Sequence, residues 1–274
     1  MRRKYMPEEG LPDYKNPPVG EVVFGIQFQA PDEFKSPHTG LLWNKFGRVQ
    51  YPTCQEKPPI ACIIEEFPVK PKGEETVMFE RLNSLPLPRI FLINGDRDNL
   101  IQIQRDRFLQ NWRKVKPDAR YPRYATLYPE FEKSVGLFND FLRSEKIGEV
   151  KLNQYELTYV NHIPLKIISN DISLIENIFP DFKCRDRQHF LPKPERFFCR
   201  RSYRLPEKKG RLHVVLKQGQ NIETGEEVFI LDLTARGFGT QMKGWFDLAH
   251  EWIVRGFTDL TSSEIQKTIW GRVR

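Results

Sequence analysis

Apolar and polar residues alternate along residues 21–28 and 151–160, and this pattern predicts two half-buried β-strands. Successive side chains of a strand point to opposite faces, so alternation buries one face and leaves the other in contact with water. Two further stretches, 89–113 and 211–236, hold strand-like runs separated by turn residues such as Gly95. Each of these stretches predicts a β-hairpin.

Helical spacing of apolar residues predicts two long helices, one at 129–145 and one at 243–255. In both, large apolar side chains recur every three or four residues, which places them on one face of a helix. Shorter helices are predicted at 36–46, 172–179 and 261–270. The last two begin at residues that commonly cap helix N-termini.

Residues 51–88 are rich in proline, which lacks the backbone N–H that a strand ladder needs. We therefore expect this stretch to hold one strand, near 60–66, and otherwise to be loop.

The order of predicted elements repeats along the chain as strand, short helix, strand, hairpin and long helix. This echo predicts an α+β fold of two similar halves, each an antiparallel sheet with a long helix packed on one face, a pseudo-duplication. The predicted halves are 1–149 and 150–274, and the second carries a basic insertion at 183–210. A chance echo is the alternative, because residue identity between the halves is low. The sequence does not choose whether two such units fuse into one curved sheet or stand side by side.

The net charge of +7 is concentrated in one region of the 274-residue chain. Residues 183–217 contain twelve Lys or Arg and three Asp or Glu, which gives them +9 and leaves −2 for the rest. Such local basicity favours binding to a specific anionic partner over non-specific binding.

Aromatic residues interleave with the cations of this basic stretch. Arginines beside aromatic rings suit single-stranded nucleic acid, because phosphates meet the charges and bases stack on the rings. A solvated loop, an edge strand guarded by charge, or a site for an acidic protein are the alternatives. The candidate binding residues are Arg196, Arg200, Arg201, Arg204, Lys208 and Lys209, with Phe197, Phe198 and Tyr203 between them.

Arg105 and Arg107 follow an apolar row, and in a regular strand they continue it on the same face. They are therefore candidates to line a pocket or groove for an anion. The alternative is that the strand leaves the core there, or that a bulge turns Phe108 and Trp112 inward instead.

Motifs for catalysis or metal binding are missing from the sequence. No nucleophile elbow, phosphate-binding loop, dinucleotide turn or HExxH motif is present. The spacing of Cys184, His189 and Cys199 fits no zinc module. We therefore expect no cofactor, no metal and no catalytic residue, and keep His162 and His250 only as alternatives.

Six blocks of the sequence resemble a sporadically distributed family of uncharacterised bacterial proteins of similar length. The resemblance covers nearly the whole chain and implies a bacterial source and a horizontally transferred gene. It implies no reaction. Patchily distributed genes are often accessory or host-defence genes, an association rather than a physical argument. The blocks lie at 100–114, 121–124, 157–163, 233–237, 252–261 and 270–272.

These observations predict a non-enzymatic binding or regulatory protein of an accessory or defence-type bacterial locus, acting on a protein partner encoded nearby. The alternatives are a nucleic-acid-binding protein that uses 183–211, and a metal-dependent hydrolase or nuclease. No apolar run approaches the roughly 18 residues of a membrane-spanning helix. With four cysteines and no apolar leader, the cytoplasm is the expected location.

Overall fold

A nine-stranded antiparallel sheet forms the centre of the computed structural model, which describes residues 10–68, 87–182, 194–221 and 225–274. The order across the sheet is β2-β3-β4-β5-β1-β6-β9-β8-β7. In chain order the strands are β1 (Val19–Phe28), β2 (Thr53–Lys57), β3 (Arg89–Ile93), β4 (Asn99–Gln104), β5 (Arg107–Arg113), β6 (Leu152–Pro164), β7 (Phe198–Arg204), β8 (Gly210–Gln220) and β9 (Glu227–Gly237).

Four α-helices accompany the sheet, and the two long ones, α2 and α3, pack on the same face of it. Phe24 of β1 illustrates this, since its ring lies 5.3 Å from that of Phe131 on α2 and 5.6 Å from that of Phe246 on α3. The α-helices are α1 (Ser36–Phe46), α2 (Tyr124–Ser144), α3 (Met242–Leu260) and α4 (Ser263–Thr268), and short 3₁₀ helices are Leu165–Ile168, Ile172–Asn177 and Pro206–Lys208.

The predicted fold of two similar halves, a pseudo-duplication in which each half is an antiparallel sheet with a long helix, is wrong, because one nine-stranded sheet runs through the molecule. Strands β1 and β6 lie side by side in the middle of the sheet, with Phe24 opposite Leu157, and β6 pairs with β9 on its other side. The sheet is therefore continuous across the expected boundary after residue 149. Pairing β1 with β6 satisfies the backbone groups that two separate sheets would leave unpaired at their edges.

Two local predictions also need correction. The stretch 89–113 holds three strands rather than two, because a tight turn at Arg105 and Asp106 separates β4 from β5. The segment 60–66 is not a strand. Among the described residues of the proline-rich region the strand is β2, which pairs with β3, and residues 69–86 lie outside the described part. Two prolines directly after Lys57 end β2, because proline cannot continue the ladder.

The face of the sheet beneath the helices is the apolar core, and we call it the helix face. Phe108 of β5 lies 5.1 Å from Phe138 of α2, and both side chains are almost fully buried. Aromatic side chains bury large apolar areas, so these contacts dominate the attachment of α2 and α3 to the sheet.

The opposite face carries polar side chains on alternate positions of the same strands, and we call it the polar face. Because cross-strand partners point to the same side, the registers place these residues together. Although polar, they are largely buried. The polar face includes Gln27, Gln102, Gln104, Arg107, Asn111, Gln154, Glu156, Arg211, His213 and Arg236.

Candidate functional site

A segment of the proline-rich region, residues 60–67, crosses the polar face, and we call it the strap. At its start, the Ile60 N–H donates to Oε1 of Gln104 over 2.9 Å, and Nε2 of Gln104 donates back to the Ile60 carbonyl over 2.7 Å. One residue later, Nη2 of Arg107 donates to the Ala61 carbonyl over 3.3 Å. Side chains of β4 and β5 therefore bind the backbone of the strap.

The middle of the strap is held in the same way by glutamines of β1 and β6. The Cys62 thiol donates to Oε1 of Gln27 over 3.3 Å. Gln154 donates to the Ile63 carbonyl and accepts from the Glu65 N–H over 3.0 Å. Buried backbone groups need partners, and here the sheet supplies them through side chains instead of a strand ladder.

The strap must be nearly straight to make these contacts. From β4 to β8 it crosses five strand spacings, which is about 24 Å at about 4.8 Å each. A fully extended chain advances at most about 3.6 Å per residue, so the eight residues of the strap span that distance only when extended.

Glu65 anchors the far end of the strap in a cluster of buried charges. Its carboxylate pairs with Arg211, lies 2.6 Å from Nε2 of His213 and lies 3.6 Å from Nη1 of Arg236. Arg236 also pairs with Glu156 over 2.7 Å. Burial raises the pKa of the Glu65 carboxyl, but hydrogen bonds from His213 and Arg211 outweigh burial and lower it overall. The carboxylate is therefore held in its charged form.

Beyond Glu65 the strap reaches the strands that carry the basic region. The Arg211 guanidinium donates to the Glu66 carbonyl over 2.7 Å and stacks on the Phe67 ring at 3.9 Å. Arg204 of β7 lies over the same ring at 5.6 Å. The anchored end of the strap and β7 are thus neighbours.

Strand β7 forms one edge of the sheet, and in the described part of the chain it pairs with β8 only. Its side chains are mostly exposed, including two aromatic ones. Phe198 is 67% exposed and Tyr203 is 39% exposed. The basic stretch is therefore an edge strand, one of the alternatives left open by its sequence.

Three of the predicted basic residues have partners. Arg201 pairs with Asp181 and lies over the Phe182 ring at 4.8 Å. Lys209 pairs with a neighbouring glutamate over 2.8 Å, and Arg204 stacks on the strap as described. These contacts hold the three side chains in defined positions.

Arg196, Arg200 and Lys208 are exposed, and none has a charged partner among the described residues. Of the predicted basic insertion 183–210, residues 183–193 lie outside the described part. The described residues already bring free cations and exposed aromatic rings together along β7.

Arg105 and Arg107 do not share a strand face, because the turn between β4 and β5 separates them. Arg105 is exposed and lies 3.6 Å from Asp32, whereas Arg107 is buried beneath the strap. As the alternative interpretation required, Phe108 and Trp112 point inward. Strand β5 lies five strand spacings from β7, about 24 Å, so neither arginine joins the basic edge.

The two histidines weighed as catalytic groups sit in different surroundings. His250 stacks on Tyr124 at 4.2 Å, and burial lowers its pKa to about 4. His162 is exposed near the end of β6, and partial desolvation of its ring lowers its pKa also. Within the described ranges no group of three His, Cys, Asp or Glu side chains is placed to hold a metal ion. Cys184 and His189 lie outside those ranges.

Comparisons with protein-family profiles, with curated proteins and with solved structures found no match to this chain. A separate test of the described helices found none that combines the length and apolarity needed to cross a membrane.

Sequence reasoning missed the strap and its anchor, because both depend on contacts between distant residues. Glu65 lies in a stretch expected to be loop or strand, and its partner Arg211 is 146 positions away. Local sequence pattern gave no signal for the strap. Polar residues at alternate positions, such as Gln102 and Gln104 on β4 and Gln27 on β1, predict a face in contact with water, whereas the structure buries them beneath the strap.

Proposed function

We propose that the protein is a non-enzymatic binding protein that holds an acidic, extended segment of a protein partner along β7. The observation that supports this proposal is the edge position of β7, which pairs with β8 alone in the described part of the chain. An extended segment that joins a sheet edge gains backbone hydrogen bonds and places alternate side chains on both faces.

The outward backbone groups of β7 can be assigned from the register. Leu205 donates its N–H to the Gly210 carbonyl over 2.9 Å at the end of the hairpin. In an antiparallel pair, residues alternate between facing the partner strand and facing away. Phe198, Arg200, Ser202 and Arg204 therefore direct their N–H and C=O groups away from β8.

The charge of the edge supports an acidic partner segment. Arg200 and Arg204 lie on the polar face, and Arg201 lies on the helix face, so cations border both sides of an added strand. Acidic side chains at consecutive positions of the segment would meet them on each side, because neighbouring residues of a strand point to opposite faces. Complementary charge of this kind raises the association rate and sets the register more than it raises affinity.

Protection against aggregation alone does not account for this edge. Guarded edges carry charges, prolines or bulges and avoid large exposed apolar groups. Here Phe198 is 67% exposed at the start of the strand and Tyr203 is 39% exposed near its end. Exposed aromatic side chains among arginines are typical of binding surfaces.

The family resemblance of the sequence suggests where the partner is encoded. We propose that it is encoded beside the gene of this protein in an accessory or defence-type bacterial locus. Co-expression with each neighbouring gene product, followed by affinity purification in high salt, tests this part of the proposal.

The edge itself is tested with a fluorescent peptide of repeated Glu-Glu-Thr-Thr, which places Glu on both faces of a strand, using its Lys-Lys-Thr-Thr counterpart as the charge control. Ser202→Pro removes one outward N–H without removing a backbone hydrogen bond to β8. It also removes the hydrogen bond between Ser202 Oγ and Nδ1 of His213, 2.8 Å apart, which Ser202→Ala removes equally. We expect it to weaken binding at least about tenfold, equivalent to about 1.4 kcal/mol. Ser202→Ala, which retains the N–H, is expected to bind like the native protein.

Hydrogen exchange gives a measurement that needs no variant. Exchange of the amide hydrogens of Arg200, Ser202 and Arg204 is expected to slow when the peptide binds. The amides of β7 that face β8 are expected to be protected already in the free protein. Equal effects of Ser202→Pro and Ser202→Ala, or equal binding of the acidic and basic peptides, would overturn the proposal.

A nucleic-acid-binding function is the second candidate, and a different observation favours it. Phe198 and Tyr203 offer exposed rings between arginines, as single-stranded nucleic acids require. The test is binding of a fluorescent single-stranded oligonucleotide as salt is raised. A steep loss with salt, removed by replacing Arg200, Arg201 and Arg204 with Ala but not by Ser202→Pro, would favour this candidate over strand addition.

A further inference from the structure

A polar cavity of about 520 Å³ opens on the helix side of the sheet, between the end of α1, the middle of α2 and the turn that joins β3 to β4. It involves neither the strap nor β7. Its walls include the buried residues Phe46, Tyr51, Gln110 and Ser134. Ligand sites for small molecules commonly have volumes of about 300 to 1,000 Å³, so the cavity is large enough for one.

Gln110 is the feature of this cavity that demands an explanation. It lies on β5 opposite Phe24, on the otherwise apolar helix face, and it is 6% exposed. Its buried Oε1 has no hydrogen-bond partner in the described part of the chain. Buried polar groups are nearly always paired, and an unpaired one costs about 1–3 kcal/mol. The Gln110 amide thus offers hydrogen bonds that the described protein does not use.

The rim of the cavity has an excess of negative charge. Glu130 of α2 and Asp96 of the β3–β4 turn contribute two carboxylates, and Lys133 contributes one cation. Asp96 lies 3.9 Å from Lys116, whereas Glu130 has no ion-pair partner in the described ranges. Burial and then the charge of Asp98 raise the pKa of Glu130.

The cavity also has an apolar side, formed by Phe46 of α1 and Leu137 of α2. A ligand that suits all three features carries a positive hydrogen-bond donor for Glu130 and Gln110. It also carries a short aliphatic part for the apolar wall. A carboxylate or phosphate ligand would instead meet the two acidic groups of the rim, a like-charge contact that disfavours it.

We propose that this cavity is a binding site for a small aliphatic primary amine, whose ammonium group lies between the Glu130 carboxylate and the Gln110 amide. The site is independent of the edge strand proposed to hold a partner. A plain diamine and a zwitterionic amino acid share the required ammonium, and the net acidity of the rim favours the diamine.

Isothermal titration calorimetry of the full chain tests the proposal with 1,4-diaminobutane, with 1,4-butanediol as the neutral analogue and γ-aminobutyrate as the zwitterion. We expect the diamine to bind with a Kd below about 1 mM, equivalent to more than about 4 kcal/mol. The diol is expected to show no heat of binding, and the zwitterion to bind more weakly than the diamine.

Two variants and one matched control locate the site. Glu130→Gln is expected to weaken diamine binding at least about tenfold. Gln110→Leu is expected to abolish it while leaving the fold at least as stable in thermal melts, because an apolar side chain of similar size removes the unpaired amide. Asp140→Asn makes the same charge change as Glu130→Gln on the same helix outside the cavity, and it is expected to bind like the native protein.

Three outcomes would overturn the proposal. They are no diamine binding at about 10 mM, equal binding of the diol, and equal weakening by Glu130→Gln and Asp140→Asn. The last result would show a general charge effect rather than a site. Diamine binding that survives Gln110→Leu in a stably folded protein would likewise reject the assigned position.

Discussion

The two faces of the sheet are both buried, but by opposite means. The helix face is covered by α1, α2 and α3 through aromatic and aliphatic contacts, such as the 5.3 Å approach of Phe24 and Phe131. The polar face is covered across its middle by the strap, through hydrogen bonds from glutamines and the charge cluster around Glu65. The helices are attached to the sheet by the apolar area that they bury, whereas the strap is attached by specific hydrogen bonds and ion pairs.

This difference has consequences for mutation and for recognition. Apolar packing is non-directional, so its strength follows the area removed from water. A polar cover depends on geometry, because removing one member of a pair leaves the other buried without a partner. The helix face should therefore respond to side-chain volume, and the polar face to single hydrogen-bonding atoms.

The largest effect is expected in the middle of the helix face. Phe131 is fully buried against Phe24 and Phe246. Phe131→Ala is expected to lower the free energy of unfolding by about 3–5 kcal/mol, because it removes apolar area and leaves a cavity. Urea denaturation measures this, with the exposed Phe198→Ala as the control, which should change stability by less than about 0.5 kcal/mol.

A slightly smaller loss is expected at the anchor of the strap. Glu65→Gln removes the charge that Arg211 and Arg236 share, and we expect it to lower the free energy of unfolding by about 3 kcal/mol. Glu56→Gln on the exposed strand β2 makes the same change without a buried partner and should be nearly neutral. Similar unfolding midpoints for the two variants in urea would show that the charge cluster does not hold the strap.

Lowering the pH should reduce the stability contributed by the helix face and by the polar face in different pH ranges. The pKa of His250 is lowered from 6.5 to about 4, so the unfolded chain binds its proton first and stability falls as pH drops from 6.5 towards 4. We expect a loss of about 2–3 kcal/mol between pH 7 and pH 4.5. Urea denaturation of native protein and of His250→Phe, which keeps a ring beside Tyr124 but cannot titrate, isolates this contribution.

The contribution of Glu65 has its own pH range. Its folded-state pKa is below the ordinary value of 4.5, so its stabilisation is present above pH 4.5 and is lost as pH falls through the lowered pKa. Between pH 6.5 and 5 the Glu65 carboxylate stays charged, so in that range His250 is the group whose titration we expect to lower stability. The His250→Phe variant should therefore lose less stability there than the native protein. A loss in that range that persists in the variant would contradict the assignment to His250.

The smallest effects are expected from substitutions at the strap, one beneath it and one on its exposed side. Gln154 is fully buried and binds the backbone at Ile63 and Glu65, so Gln154→Ala is expected to destabilise by about 1–2 kcal/mol. Ile63 is 55% exposed on the strap itself, and Ile63→Ser is expected to stay within about 0.5 kcal/mol. Thermal melts compare the two, and a larger loss for Ile63→Ser would mean that the strap is held by its own side chains.

Local elements were largely predictable because short-range patterns determine them. The strand predicted at 21–28 is β1, and the long helix predicted at 243–255 is α3, which extends further to Leu260. Helix α2 begins at Tyr124, earlier than predicted, with Pro129 inside its first turns. Pro129 is the sixth residue of α2, beyond the first four positions whose N–H groups have no partner within the helix, so its missing N–H removes one i→i−4 hydrogen bond. Proline is common at the first position of a helix, and the pattern therefore predicted a later start than the structure has.

The division between β4 and β5 shows where pattern reasoning failed. An unbroken run of strand-forming residues from 99 to 113 fits one strand, yet the chain reverses at Arg105 and Asp106. That turn contains neither glycine nor proline, and Asp106 is its one turn-favouring residue, so the local sequence marks it only weakly. The burial of Phe108 and Trp112 in the core favours the reversed arrangement, because one long strand would leave those rings in water.

By itself, the sequence determined both long helices and several of the strands, which of their faces are apolar, and where positive charge collects. These properties follow from side-chain periodicity and composition within short windows. Only the tertiary structure decided that β1 and β6 join the chain into one sheet, that the strap lies across the polar face, and that Glu65 meets Arg211. Such contacts join residues far apart in sequence, and they form because buried backbone groups and buried charges must find partners wherever the fold supplies them.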